Sequence, residues 1–259
     1  MQVPFEVGDS AHPVIPTAVH AGHDLRPETA HLAAADHAAR RREEDPFTDR
    51  VAAACGTPVI VHRSRFEVDV NRARARAVYR KPEDAWGIEV WSEPLPDAIV
   101  ERSLAIYDAF YAALAERLDA LARHGPFVVL DLHSYNHRRD GPQAPTSPSS
   151  ENPEVNVGTG TLDRSRWGGL VDRFIADLSA RQVAGHRLDV RENVRFTGGE
   201  LSHWIHRRYP GVGCALAIEL KKTFMDEWTG TLDEEHLGEV TAALAATVPN
   251  IVSELGGAA

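Results

Sequence analysis

Cysteine is nearly missing from this chain: Cys55 and Cys214 are the only two, and they stand far apart. No disulfide framework is implied, and in their apolar settings both are expected to be buried, inert thiols. There is no apolar run of about 18 residues, so no transmembrane helix is expected. Residues 1–9 lack the basic start and apolar core of a signal peptide, which makes the cytoplasm the simple assignment. An excess of positive charge is missing as well. Lys and Arg number 28 against 38 Asp and Glu, for a net charge of −10. Such a chain is poorly suited to general nucleic-acid or membrane-surface binding, although local arginine clusters still suit small anions.

What is present is globular, with 43% hydrophobic and 25% charged residues. A length of 259 residues suits one large α/β domain and is short for two. No linker or internal repeat divides the chain, so residues 1–259 are expected to form a single domain. Thirteen histidines is the unusual count. Several are clustered: His20 with His23, His133 with His137, and His203 with His206.

Apolar runs at 14–19, 57–61, 127–130, 187–190 and 215–218 read as strands. The alternation in Phe66-Glu67-Val68-Asp69-Val70 reads as a half-buried strand. Between them, helical patterns cover 30–54 (broken near Pro46), 99–124, 164–180, 200–209 and 233–255. In the longest, Leu104, Tyr107, Phe110, Tyr111, Leu114, Leu118 and Leu121 recur at three- and four-residue spacing. Alternating strands and helices argue for an α/β fold, with a mixed, mostly parallel sheet flanked by helices. Residues 140–160, dense in Pro, Ser, Gly and Asn, read either as a binding loop or lid or as a surface insertion.

Four of the strand patterns end in residues with complementary chemistry: His20, Asn71-Arg72, His133 and Glu219. Open α/β sheets bind ligands at the carboxyl ends of their strands. Two imidazoles and a third ligand would hold Zn²⁺ with one position open for water. A nearby Glu would take that water's proton. Arginine beside asparagine suits a substrate carboxylate.

Residues 131–136, Asp-Leu-His-Ser-Tyr-Asn, resemble the segment that carries the last zinc ligand of zinc carboxypeptidases. Val68-Asp69-Val70-Asn71-Arg72 resembles their carboxylate-gripping segment. Ala217-Ile218-Glu219-Leu220 resembles their strand ending in the catalytic Glu. A closer resemblance, over roughly 14–227, is to the N-formylglutamate amidohydrolase family, itself carboxypeptidase-like. Its motifs here are His20-Ala21-Gly22, Arg65 through Asn71-Arg72, Asp131-Leu132-His133-Ser134, Asn156-Val157-Gly158-Thr159, Phe196-Thr197-Gly198-Gly199 and Glu219 through Glu227.

This resemblance implies a zinc carboxypeptidase/phosphorylase-hydrolase-like fold. It also implies one Zn²⁺, or another divalent ion, per chain. His20 and His133 would be ligands and Glu219 the catalytic base. Where carboxypeptidases have His-x-x-Glu, this chain has His20-x-x-His23, so the third ligand is open. An acid of segment 42–49, Glu44 or Asp49, is favoured over His23. Asn71 and Arg72 would grip the substrate carboxylate, and Arg138 and Arg139 would read a second anion or be a solvated charge run. Gly198 and Gly199 would let backbone approach a ligand or merely open a helix. Glu219 has a plainer reading as the partner of Lys221 or Lys222, and His203 and His206 as surface or packing residues.

The expected function is zinc-dependent hydrolysis of an amide in a small, carboxylate-bearing N-acyl amino acid, N-formylglutamate being the named substrate. Two other readings stay open. One is a carboxypeptidase-like or γ-glutamyl/cell-wall peptide hydrolase; the other is a metal-free binder of an acidic metabolite.

Overall fold

The computed structural model describes residues 3–257. Its main sheet has seven strands in the order β1-β3-β2-β4-β9-β5-β8. These are β1 (Phe5–Val7), β2 (Val14–Ala18), β3 (Val59–Val61), β4 (Phe127–Tyr135), β5 (Val155–Gly158), β8 (Val190–Glu192) and β9 (Gly213–Lys221). Strands β3, β2, β4 and β9 run parallel, as do β5 and β8. The β1–β3 and β5–β9 pairs are antiparallel. A separate two-stranded ribbon joins β6 (Gln182–Val183) and β7 (His186–Arg187). The helices are α1 (Pro27–Ala30), α2 (His37–Glu43), α3 (Thr48–Cys55), α4 (Asp97–Ala122), α5 (Arg164–Ser179), α6 (Glu200–Arg208), α7 (Glu234–Ala245) and α8 (Val248–Gly257). This is the expected mixed, mostly parallel sheet flanked by helices. Among the described residues, no helix is long and apolar enough to cross a membrane.

Side chains alternate across a strand, so each central strand feeds two cores. Val128, Leu130 and Leu132 of β4, with Cys214, Leu216, Ile218 and Leu220 of β9, pack against α3, α5, α7 and α8. Phe127, Val129 and Ala215 face the other way, against α4 and α6. The seven apolar residues expected on the longest helix lie in α4, and Tyr107, Phe110, Tyr111, Leu114, Leu118 and Leu121 are buried. Both cysteines are buried and unpaired, as expected. Burial alone pushes the Cys55 thiol up to about 12.

Several elements differ from their sequence patterns. Residues 66–70 form no strand. They are wound into turns in which Glu67 N–H and Val68 N–H donate to the carbonyl of Ser64. All five of these residues are buried, so their alternation does not mark a wet and a dry face. The pattern over 30–54 holds two short helices, α2 and α3, with 44–47 between them left extended or turned. The last helix is two helices meeting at 246–247, just before Pro249, whose missing N–H disfavours a continuous helix. Strands β4 and β9 run well past their apolar cores, and this lengthening creates the site.

Candidate active site

The alternation that fills the core on β4 continues beyond it. Residues 127, 129, 131, 133 and 135 share one face, so Asp131, His133 and Tyr135 follow Phe127 and Val129 onto the α4/α6 side. On β9 the same face carries Ala215, Ala217 and Glu219. In register, His133 stands opposite Glu219 and Asp131 opposite Ala217. Asn156 of β5 stands opposite Glu219 from the other side. His20 enters just past the end of β2, where Thr17 pairs with Asp131. The carboxyl ends of three parallel strands thus deliver His20, His133 and Glu219 to one place.

His20, Asp45 and His133 form a buried triad whose ligand atoms lie within 4.8 Å of one another. Asp45 Oδ2 is 3.3 Å from His20 Nδ1 and 3.0 Å from His133 Nδ1. The other ring nitrogens are already engaged. His20 Nε2 meets Asp69 Oδ1 at 2.7 Å, and His133 Nε2 meets Asp131 Oδ1 at 3.1 Å. A ring nitrogen that donates to a carboxylate leaves its lone pair on the other nitrogen. Both Nδ1 lone pairs then face the Asp45 oxygen, and His20 Nδ1 has no hydrogen-bond partner although it is buried. Three converging electron-rich atoms call for a cation, and the donor set suits Zn²⁺. Although burial opposes it, Asp131 and Asp45 hold the His133 pKa well above 6.5. Burial likewise opposes ionisation of Asp45, yet His133, through its hydrogen bond, and the adjacent His20 ring hold its carboxyl far below the usual range.

The supports behind the rings are themselves anchored. Asp69 accepts from Arg65 Nη2 at 2.9 Å and from the Tyr79 hydroxyl at 2.5 Å. Asp131 accepts from Thr17 Oγ1 at 3.1 Å.

The third group is therefore Asp45, not Glu44, Asp49 or His23. Glu44 is extended (φ −81°, ψ 175°), and successive side chains of an extended chain point to opposite sides. Glu44 turns away and binds His23 Nδ1 and Ser64 Oγ, each at 2.5 Å. His23 is spent on that contact, and Asp49 lies in the first turn of α3 outside the triad. Lys222 fixes the link: its buried Nζ donates to the carbonyls of Arg42 and Glu44 at 2.6 and 2.8 Å and to Asn136 Oδ1 at 3.0 Å. The sequence did carry one signal for Asp45, because a residue before proline is held extended.

Glu219 lines the same cavity, of about 790 Å³. Its carboxylate has no hydrogen bond or ion pair among the described residues. Lys221 Nζ reaches the Asn152 carbonyl at 3.4 Å instead, and Lys222 is committed to the 42–44 backbone. Burial, ahead of the nearby Asp45 and Asp131 charges, pushes Glu219 up to about 7, with His133 opposing.

The remaining candidates divide. Asn71, Arg139, Gly198 and Gly199 line the cavity; Arg72 and Arg138 do not. The Arg72 guanidinium lies over Tyr79, 4.4 Å from the ring centroid, and donates to the Asp84 carbonyl at 2.7 Å. Arg138 pairs with Asp226 at 2.6 Å. Asn71 Nδ2 sits 3.1 Å from His133 Nε2, while Asn71 Oδ1 accepts from Leu201 N–H. Gly199 matters for space: a Cβ there would lie 2.4 Å from the Asn71 carboxamide. Gly198 has φ +112°, which favours glycine. Arg65, named only within a motif, Lys222, named only as a partner for Glu219, and Arg195, unmarked by the sequence, also line the cavity. His206 is a packing residue, as read: its Nε2 accepts Ala215 N–H at 2.9 Å. Burial, then His203, lowers its pKa to about 4.

A model of the N-formylglutamate amidohydrolase family matches residues 12–225. The chain belongs to that family. Among solved structures, the N-formylglutamate amidohydrolase of Ralstonia eutropha is similar to it, with TM-score 0.79 and 19% identity over 99% of each chain. A gene product of Agrobacterium tumefaciens has TM-score 0.66 and 19% identity over 95% of this chain and 92% of its own. At such identity these likenesses speak to the fold. The search of curated proteins returned no match. Family membership makes the chain a hydrolase of amide bonds, and the cavity just described falls within the matched span.

Proposed function

We propose that this chain is a metal-dependent amidohydrolase that releases the acyl group of a small N-acyl amino acid, N-formylglutamate first among them. His20 Nδ1, His133 Nδ1 and Asp45 would hold the ion. A zinc ion there would polarise the amide carbonyl and bring the pKa of a bound water toward about 7. Glu219 accepts the attacking water's proton and returns it to the amine nitrogen as the C–N bond breaks, giving a carboxylic acid and a free amino acid. Arg65, on the cavity wall where Arg72 was expected, takes the carboxylate beside the scissile bond. Its fixed contact with Asp69 sets that carboxylate's position relative to His20.

One observation carries the reading: a carboxylate without a hydrogen-bond or ion-pair partner among the described residues faces the same cavity as three converging ligand atoms. A purely structural Glu219 would have a partner. The test is Glu219→Gln, assayed by amine release from N-formyl-L-glutamate and by elemental analysis. Turnover should fall by roughly 10²- to 10⁴-fold, the usual contribution of a general base, with metal content unchanged. Full activity in that variant would sink the mechanism.

A further inference from the structure

Five cationic side chains line the cavity: Arg42, Arg65, Arg139, Arg195 and Lys222. Three are committed. Arg42 pairs with Glu43 and Glu227, at 2.5 and 3.0 Å. Arg65 pairs with Asp69 at 2.9 Å, and Lys222 is held by backbone carbonyls. Arg139 and Arg195 differ. Neither has a carboxylate within 4.0 Å among the described residues. Arg139 makes one long hydrogen bond, Nε to the Asn136 carbonyl at 3.4 Å.

Arg195 is held in place without being neutralised. Its guanidinium lies 5.7 Å from the Tyr135 ring centroid and 5.4 Å from that of Phe196. Nη1 donates to Asn152 Oδ1 at 3.1 Å, while Nε is buried and unpartnered. Its backbone N–H donates to Asn156 Oδ1 at 2.8 Å, and Asn156 stands opposite Glu219. Burial, then repulsion from Arg139, holds the Arg195 pKa below the usual range. Two guanidiniums thus line one cavity with no carboxylate against either among the described residues.

The topology says which anion. Arg65 follows β3 and Arg195 follows β8, and these strands lie on opposite sides of the β2-β4-β9-β5 centre that carries His20, His133 and Glu219. A substrate with its amide over that centre has one cation on each flank. We infer that Arg139 and Arg195 form a second carboxylate subsite, which makes them the residues that select an acidic side chain on the released amino acid. This rests on the amidohydrolase reading above. Guanidinium pairs bind carboxylates in two-pronged contacts, and the Gln isostere of Glu would leave them unneutralised.

The test compares N-formyl-L-glutamate with N-formyl-L-glutamine in the wild type, Arg139→Gln, Arg195→Gln and the double variant. The wild type should favour the glutamate compound. The kcat/KM ratio between the two should fall roughly 10- to 100-fold in the double variant, carried by KM, as expected for loss of charged hydrogen bonds. A ratio unchanged by both substitutions, or a wild type without preference, overturns the subsite. Should neither compound be hydrolysed, the amidohydrolase reading fails instead. Calorimetry with glutarate and butyrate then decides the subsite: glutarate binding lost in the double variant supports it, and equal binding of the two acids overturns it.

Discussion

The two ends of the cavity are built on opposite rules. At the triad, almost every polar atom is spoken for. His20 and His133 each lean on a buried carboxylate, those carboxylates are anchored by Arg65, Tyr79 and Thr17, and Lys222 pins the chain that carries Asp45. At the arginine end, Arg139 and Arg195 have no acidic partner among the described residues, and both line the cavity. Pairing fixes geometry, which chemistry at a metal requires to within a fraction of an ångström. Leaving charges unpaired keeps them available to whatever arrives. The two ends read as a reaction site and a recognition site.

That contrast can be broken most severely at Asp45. Asp45→Ala should lose stoichiometric metal on elemental analysis and lower turnover by roughly 10³-fold or more, since two imidazoles alone make an incomplete zinc site. Glu44→Ala, by comparison, should keep its metal; the reverse result would overturn the assignment of the third ligand.

A smaller effect is expected one layer out. Asp131→Asn and Asp69→Asn keep the shape but weaken the acceptor behind each ring. Metal affinity, measured by chelator competition, should drop roughly 10- to 100-fold, the usual cost of losing such a support. Unchanged affinity would mean that the rings are held by packing alone.

The mildest prediction separates two arginines. Arg72→Gln should alter KM for N-formyl-L-glutamate by less than roughly threefold, because Arg72 removes no contact from the cavity. Arg65→Gln should raise it more. A larger effect from Arg72→Gln would restore the carboxylate clamp expected from the sequence.

Much of the architecture was legible in advance. Continuous apolar runs, set between helices with period 3.6, specify a sheet covered on both faces. His20, His133 and Glu219 were found because each sits where an apolar strand gives way to polar residues. The pattern at 66–70 misled because both of its faces are buried, so alternation lost its usual meaning. Arg72 misled for a related reason. Its neighbours in sequence suggested a clamp, but the aromatic faces of Tyr79 and Trp86 offered its guanidinium a better seat.

By itself, then, the sequence determined the central strands β2, β3, β4 and β9, which ends carry imidazole and carboxylate, and to which family the chain belongs, while β1 and β5, the latter inside the segment read as a loop, went unread. These are local properties, written in periodicity and composition. Only the tertiary structure decided that Asp45 rather than Glu44 joins the two histidines, and that Arg139 and Arg195 stand without acids. Both outcomes depend on groups separated by tens of residues meeting in space. Whether a charge is paired is a fact about distance, and distance between remote residues is set by how the sheet is assembled.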